Sequence, residues 1–152
     1  MVGEYNGDFS TFDDYFEKHT EKFFTPEIHE MTIFHSPGYI LGLHVTYRDP
    51  WGKFDKETYS GNVQLPKSMN PKTCESAKIS FEYDDFPKEI YVDGTEYIHY
   101  IKIVSFKGKK IEVGKQSSPS LNNQVPELGR ILGVGGALSL CLNAIYFYYL
   151  GA

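Results

Sequence analysis

The last stretch of the chain, Arg130 to Ala152, constrains the fold more than any other. It reads Arg-Ile-Leu-Gly-Val-Gly-Gly-Ala-Leu-Ser-Leu-Cys-Leu-Asn-Ala-Ile-Tyr-Phe-Tyr-Tyr-Leu-Gly-Ala, and no charged side chain follows Arg130. Such a run has two physical uses. A helix that spans a bilayer needs about 20 mostly apolar residues. Strands covered on both faces also read as nearly continuous apolar runs. Composition favours the second use. Gly133, Gly135 and Gly136 each weaken a helix by roughly 1 kcal/mol relative to alanine. The second half is dense in Tyr and Phe, which favour strands. Asn143 would fall near the middle of the hydrocarbon, where a polar group without a partner is costly. The expectation is a strand over residues 131–134, a Gly-rich turn, and a second strand over residues 140–149. A membrane anchor is the disfavoured alternative.

The rest of the chain agrees with an all-β reading. Its 152 residues fit one domain, residues 1–152, long enough to bury a core without staples. Tyr and Phe are abundant, and Pro and Gly are scattered throughout, the profile of an all-β domain. The net charge of −5 argues against a nucleic-acid backbone as partner. Cys74 and Cys141 lie far apart, and Cys141 reads as a small hydrophobe in the apolar tail. No signal peptide and no Asn-x-Ser/Thr acceptor is visible. These features point to a reducing, cytoplasmic setting; a processed extracellular chain starting at an added Met1 would read the same.

Alternation becomes legible from Ile28. Ile28, Met31 and Ile33 lead into Ser36-Pro37-Gly38, a turn signal. Leu41, Leu43, Val45 and Tyr47 then alternate with Gly42, His44 and Thr46, a half-buried strand. Asp49-Pro50-Trp51-Gly52 is a second turn. Residues 53–75 read as loop with one edge strand at most. Strands follow at 78–83, 90–92, 98–106 and 111–113, with turns at Asp93-Gly94 and Lys107-Gly108-Lys109. Residues 15–24, with Tyr15, Phe16, His19 and Phe23, suit either a short amphipathic helix or a long connection. About ten short strands with turn signals argue a sandwich, barrel or prism.

No catalytic set stands out. His29 and His35 flank Glu30 without the His-Glu-x-x-His spacing of a zinc protease, and read as surface or satisfied histidines. Gly133-Val134-Gly135-Gly136 resembles the start of a phosphate loop, but Leu138 stands where a dinucleotide fingerprint needs glycine. Ser139 lacks the glycines of a nucleophile elbow. Asp13-Asp14 and Asp84-Asp85 are adjacent pairs, which on a strand point to opposite faces and suit turns. One task does fit the Gly-x-Gly-Gly segment: backbone N–H groups left free at a glycine-rich turn, with an Asp or Asn nearby, can hold the hydroxyls of a sugar.

The tail Gly129-Arg130-Ile131-Leu132-Gly133-Val134-Gly135-Gly136-Ala137-Leu138-Ser139-Leu140-Cys141-Leu142-Asn143-Ala144-Ile145 resembles the closing motif of jacalin-related lectins, roughly Gly-Lys-Ile-Val-Gly-Phe-His-Gly-Arg-Ser-Gly-x-x-Leu-Asp-Ala-Ile-Gly. Further segments fall in family order: Phe12-Asp13-Asp14, residues 38–47, Val92-Asp93-Gly94 and Ile103-Val104-Ser105-Phe106. The resemblance implies a β-prism of three four-stranded Greek-key sheets around a pseudo-threefold axis. It implies a site for mannose- or glucose-type glycans, built from a Gly-x-x-x-Asp motif and an N-terminal glycine. Glycans or glycoproteins would be the partners, with a second copy of the chain as a further one and no cofactor. Carried over, the site falls on Gly7, Asp93, Ser139, Leu140, Cys141 and Asn143. Both defining positions depart: Ser139 stands for Gly, and Asn143 for Asp. Asn has lost the charge that makes a carboxylate's hydrogen bonds about twice as strong. The resemblance thus implies a weakened sugar site, or a degenerate prism that binds a protein partner through residues 15–24.

Overall fold

The computed structural model describes residues 2–3, 10–13, 27–48, 58–60, 63–82, 84–94, 96–115, 123–124 and 130–150. The described residues form twelve strands and no helix: β1 (Val2–Gly3), β2 (Ser10–Asp13), β3 (Glu27–Ser36), β4 (Tyr39–Arg48), β5 (Thr58–Ser60), β6 (Glu75–Ser80), β7 (Pro87–Asp93), β8 (Tyr100–Ser105), β9 (Lys110–Gly114), β10 (Asn123–Gln124), β11 (Arg130–Leu138) and β12 (Leu142–Leu150). Among these residues no helix is long and apolar enough to cross a membrane.

The strands make three four-stranded antiparallel sheets, ordered β5-β4-β3-β6, β10-β7-β8-β9 and β1-β12-β11-β2. Each centres on a hairpin, β3–β4, β7–β8 or β11–β12, and each hairpin takes an outer strand on either side. In the first two sheets the next two strands in sequence supply the outer pair. In the third, β1 and β2, which precede the hairpin in sequence, take those places. One Greek-key pattern thus occurs three times, as a pseudo-threefold prism requires.

The core explains why period-two alternation was readable. Ile28, Met31 and Ile33 of β3, Leu43, Val45 and Tyr47 of β4, Ile90 and Val92 of β7, Ile101 and Ile103 of β8, and Val134, Leu142 and Ile145 of the last hairpin belong to one buried cluster. Between them, outward residues pair across strands; the Lys102 ammonium lies 5.3 Å from the centroid of the facing Tyr91 ring. Alternation fails at bulges. β3 and β4 lose register between Ile28 and Glu30, and again between Phe34 and His35. The second bulge leaves Leu41 without a partner, and Ile40 and Leu41 are both buried.

The glycine-rich segment is not a turn. β11 runs unbroken through Gly133, Gly135 and Gly136, and the chain reverses later, at residues 139–141. The second strand accordingly starts at Leu142 rather than Leu140. Gly135 pairs with Tyr146 on one side and Asp13 on the other; Gly136 pairs with Ile145 and Phe12. The Gly-x-Gly-Gly segment therefore lies inside a central strand and is no ligand cradle. Its glycines serve close approach instead. A Cβ on Gly135 would strike the Tyr146 ring, and one on Gly136 would strike the Ala144 carbonyl oxygen and crowd Phe12. With Gly135 bare, the Tyr146 hydroxyl reaches over β11 to the Phe12 carbonyl oxygen at 3.4 Å.

A buried staple closes another region. Arg48, 4% exposed, donates to the carbonyls of Phe81, Glu82 and Asp85 and to Glu27. Asp85 is a turn residue, its N–H donating to the Glu82 carbonyl at 3.0 Å. It is buried, and its Oδ1 accepts from the N–H groups of Phe86 and Lys107. The Asp49–Gly52 turn and residues 15–24 lie outside the described residues.

Gly136→Ala is expected to destabilise the fold by about 1–3 kcal/mol, because the obstruction is backbone and cannot swing aside. Urea unfolding should show a lower midpoint at unchanged slope, whereas Gly108→Ala, which meets nothing within 4 Å, is limited to the strain of its positive φ of 96°.

Candidate functional site

The β11–β12 turn is made of Ser139, Leu140 and Cys141. It is closed by one bond, from the Ser139 N–H to the Cys141 carbonyl at 3.0 Å. The N–H groups of Leu140 and Cys141 donate to no group among the described residues. The Leu140 side chain stands 80% exposed at the tip. No described residue other than glycine has a positive φ, so Ser139 occupies its position without backbone strain.

Asn143 is positioned by a bulge. Ala137 pairs with Ala144, and Leu138 pairs with Leu142, so Asn143 has no partner on β11. A bulge of this kind leaves one residue out of the ladder and re-aims its side chain. The Asn143 amide turns toward two groups. Its Oδ1 accepts from the Ser139 hydroxyl at 2.6 Å, and its Nδ2 donates to the Glu96 carbonyl at 3.3 Å. This pair of bonds fixes which end of the amide is oxygen. An amide has two acceptor lone pairs and two N–H donors. One of each remains for a ligand, on a side chain that is 8% exposed.

Glu96 belongs to the β7–β8 connection. Gly94 opens it with φ of 154°, where a Cβ would strike the Tyr97 carbonyl oxygen. The His99 N–H closes it on the Asp93 carbonyl at 3.1 Å. The connection is bonded to both neighbouring hairpins. Ile98 donates to the Leu142 carbonyl at 2.9 Å, and Ile40 donates to the Ile98 carbonyl at 2.9 Å. Tyr97 and Tyr39, both partly exposed, meet edge to face with centroids 6.4 Å apart.

The structure thus brings Ser139, Leu140, Cys141 and Asn143 together on one turn and strand start. Asp93 lies under the same connection, 1% exposed, with its Oδ2 3.9 Å from His99 Nε2. Its carboxylate serves the connection from below. Gly7 lies outside the described residues. Both cysteines are free, and Cys141 is half-buried; burial pushes its thiol up, which disfavours the reactive thiolate. Among the described residues no group of His, Cys, Asp and Glu is arranged to hold a metal. His35 approaches Glu75 at 3.8 Å, while half-buried His29 has no hydrogen-bond partner for its Nδ1 among the described residues. Sequence reasoning missed Glu96, whose contribution is a carbonyl and has no side-chain signature.

No family model and no curated protein matches the chain. Solved structures do. A mannose-binding lectin from champedak has a TM-score of 0.70 at 18% identity, over 98% of this chain and 92% of its own. AcmJRL, a mannose-binding jacalin-related lectin from Ananas comosus, has a TM-score of 0.68 at 13% identity, over 99% and 94%. The lectin MPA, complexed with T-antigen disaccharide, has a TM-score of 0.69 at 22% identity, over 92% and 98%. Likeness at these identities establishes the fold.

Asn143→Ala removes the bond to Glu96 and is expected to cost about 1 kcal/mol of stability. It should also speed amide exchange at His99 by roughly tenfold, since the connection loses a tether; unchanged exchange would separate Asn143 from this connection.

Proposed function

We propose that this chain, which has the β-prism fold of the jacalin-related lectins, binds carbohydrate at the turn that joins β11 to β12. The observation that carries the reading is one constellation: two backbone N–H groups without described partners, beside an amide that keeps one donor and one acceptor free. A sugar offers adjacent hydroxyls that each donate and accept. Two backbone donors and one amide can hold such a pair without moving, because the strand ends and the bulge already fix them. Leu140 and Tyr97 supply apolar surface at the rim.

Mannose- or glucose-type sugars are the preferred class, in keeping with the sequence resemblance and with the mannose-binding lectins among the structural neighbours. The site is weak for a physical reason. The Asn143 oxygen already accepts the Ser139 hydroxyl, and the amide carries no charge to strengthen what it accepts next. Affinity for a monosaccharide should therefore be about millimolar, near −4 kcal/mol. The internal bond also favours one alternative, a degenerate prism in which Ser139 and Asn143 satisfy each other and this end of the molecule meets a protein.

Titration with methyl α-mannoside, followed by amide NMR, separates the two. Saturable shifts centred on Leu140, Cys141 and Asn143 are expected. Asn143→Asp restores a charged acceptor and should tighten binding by roughly tenfold. It also removes the donor to Glu96, so the melting temperature should fall while affinity rises. No saturable shift in either the parent or the Asp variant would leave the interaction module as the better reading.

A further inference from the structure

The exposed apolar side chains are gathered rather than scattered. Among the described residues the large ones are Tyr39, Val63, Met69, Tyr97, Phe106 and Leu140. Three of these stand where the chain enters the second strand of a hairpin. Tyr39 precedes Ile40, Tyr97 precedes Ile98, and Leu140 lies two residues before Leu142. Ile40 donates to Ile98 and Ile98 to Leu142, so all three lie at one end of the prism. Met69 joins them. Its connection runs along β4 at Gln64, paired with Leu43, and re-enters the sheet at Glu75, opposite His35 and next to the β3–β4 turn. Residues 67–73 of that connection are exposed without a break, and they are held by bonds from the Lys72 and Thr73 N–H groups to Asn70. Phe106 is at the opposite end, in the β8–β9 turn, with one ring face covered by Phe86.

The charges at the first end nearly cancel. Lys67 and Lys72 are exposed and have no ion-pair partner among the described residues, and Lys115 is exposed after β9. Against them stand the exposed carboxylates of Glu75, beside His35, and Glu96; Asp93 is buried beside His99. Neither a polyanion nor a polycation is matched by such a surface. What it offers is a leucine at a turn tip, a methionine, two tyrosines and lysines around them. Tyrosine suits the border of a bilayer, where its ring meets acyl chain and its hydroxyl meets water. Lysine lays its stem on apolar surface and keeps its ammonium among headgroups.

The turn that carries Leu140 separates a lipid surface from a protein one. Its Leu140 and Cys141 N–H groups have no acceptor among the described residues. A protein pocket that buried Leu140 would also bury these donors, at a cost unless an acceptor stood in the right place. A headgroup layer is wet and crowded with phosphate and ester oxygens, so it accepts from such donors in any orientation.

From this arrangement we infer that the end of the prism bearing Tyr39, Met69, Tyr97 and Leu140 docks on the surface of a lipid bilayer. Leu140 enters to the acyl boundary, and the Tyr39–Tyr97 pair and Met69 sit in the headgroup layer. The chain lies on the bilayer and does not cross it. This pose turns the β11–β12 turn toward the headgroups, yet it requires no sugar and does not rest on carbohydrate binding at Asn143.

Flotation of the whole chain with sugar-free vesicles tests it, using phosphatidylcholine alone and phosphatidylcholine mixed with phosphatidylserine. The chain should float with both, and several-fold more tightly with the mixture, because Lys67 and Lys72 slightly outweigh the nearby carboxylates. Leu140→Ser, an exposed substitution that should leave the melting temperature unchanged, should weaken partitioning roughly tenfold. Phe106→Ser, at the far end, should float like the parent. In phosphatidylcholine bicelles carrying a spin-labelled lipid, the amides of Gly38, Met69, Leu140 and Cys141 should broaden while that of Gly108 stays sharp. The inference is overturned if the chain stays behind with both vesicle types, or if it floats only with phosphatidylserine and moderate salt releases it. It is equally overturned if Leu140→Ser floats like the parent, or if Gly108 broadens as much as Leu140. Sugar binding lost with flotation intact would sink the reading at Asn143 and leave this one standing.

Discussion

The prism depends on the two ends of the chain meeting in one sheet, and that meeting depends on glycines inside β11. Adjacent residues on a strand face opposite sides. At Gly135 the missing side chain lets the Tyr146 ring lie across β11, and its hydroxyl reach the Phe12 carbonyl on β2. At Gly136, on the other face, Phe12 itself comes close, and the Ala144 carbonyl fills the remaining space. Side chains at these positions would hold β2 and β12 off the central strand. The third sheet would then lose its N-terminal half, and the candidate turn would sit on an open hairpin rather than on a closed wall.

This constraint also explains what the sequence did and did not disclose. Alternating residues such as Leu43, Val45 and Tyr47 were readable because one face of each strand enters a common core. The apolar tail was readable as strand because glycine, Tyr and Phe disfavour a membrane helix. The glycines were misplaced because free rotation and close approach leave the same letter in a sequence. Only the partner distinguishes them, and Tyr146 and Phe12 reach Gly135 and Gly136 through tertiary structure. The family resemblance located Ser139 and Asn143 by motif. It could not reveal that the two side chains bond to each other, since that follows from a bulge between Ala137 and Leu138. The burial of Asp85 was hidden for a similar reason: its partners are the backbone N–H groups of Phe86 beside it and of Lys107 in the β8–β9 turn.

Buried charge and spare hydrogen-bonding capacity are divided along the molecule. Arg48 and Asp85 are buried; Arg48 donates to carbonyls of the connections around it, and Asp85 Oδ1 accepts from two backbone N–H groups, while its Oδ2 has no hydrogen-bond partner among the described residues. Buried charges of this sort are tolerable only when paired and bonded, and removing one partner is severely destabilising. The Asn143 position is built differently. Its amide satisfies part of its capacity internally and leaves one donor and one acceptor over.

The threefold pattern makes the comparison internal. Asn143, His99 and Leu41 follow Leu142, Ile98 and Ile40, which backbone bonds link in series at or just before the second strand of each hairpin, yet their side chains differ in every respect that matters for recognition. Backbone geometry fixes where they stand, and identity fixes what they can hold. Asn143 offers a neutral donor and acceptor, His99 holds the Lys115 carbonyl through a ring nitrogen, and Leu41 is buried. A prism of this kind can change its ligand chemistry at one hairpin without repacking the others, because the core under all three is the same apolar cluster.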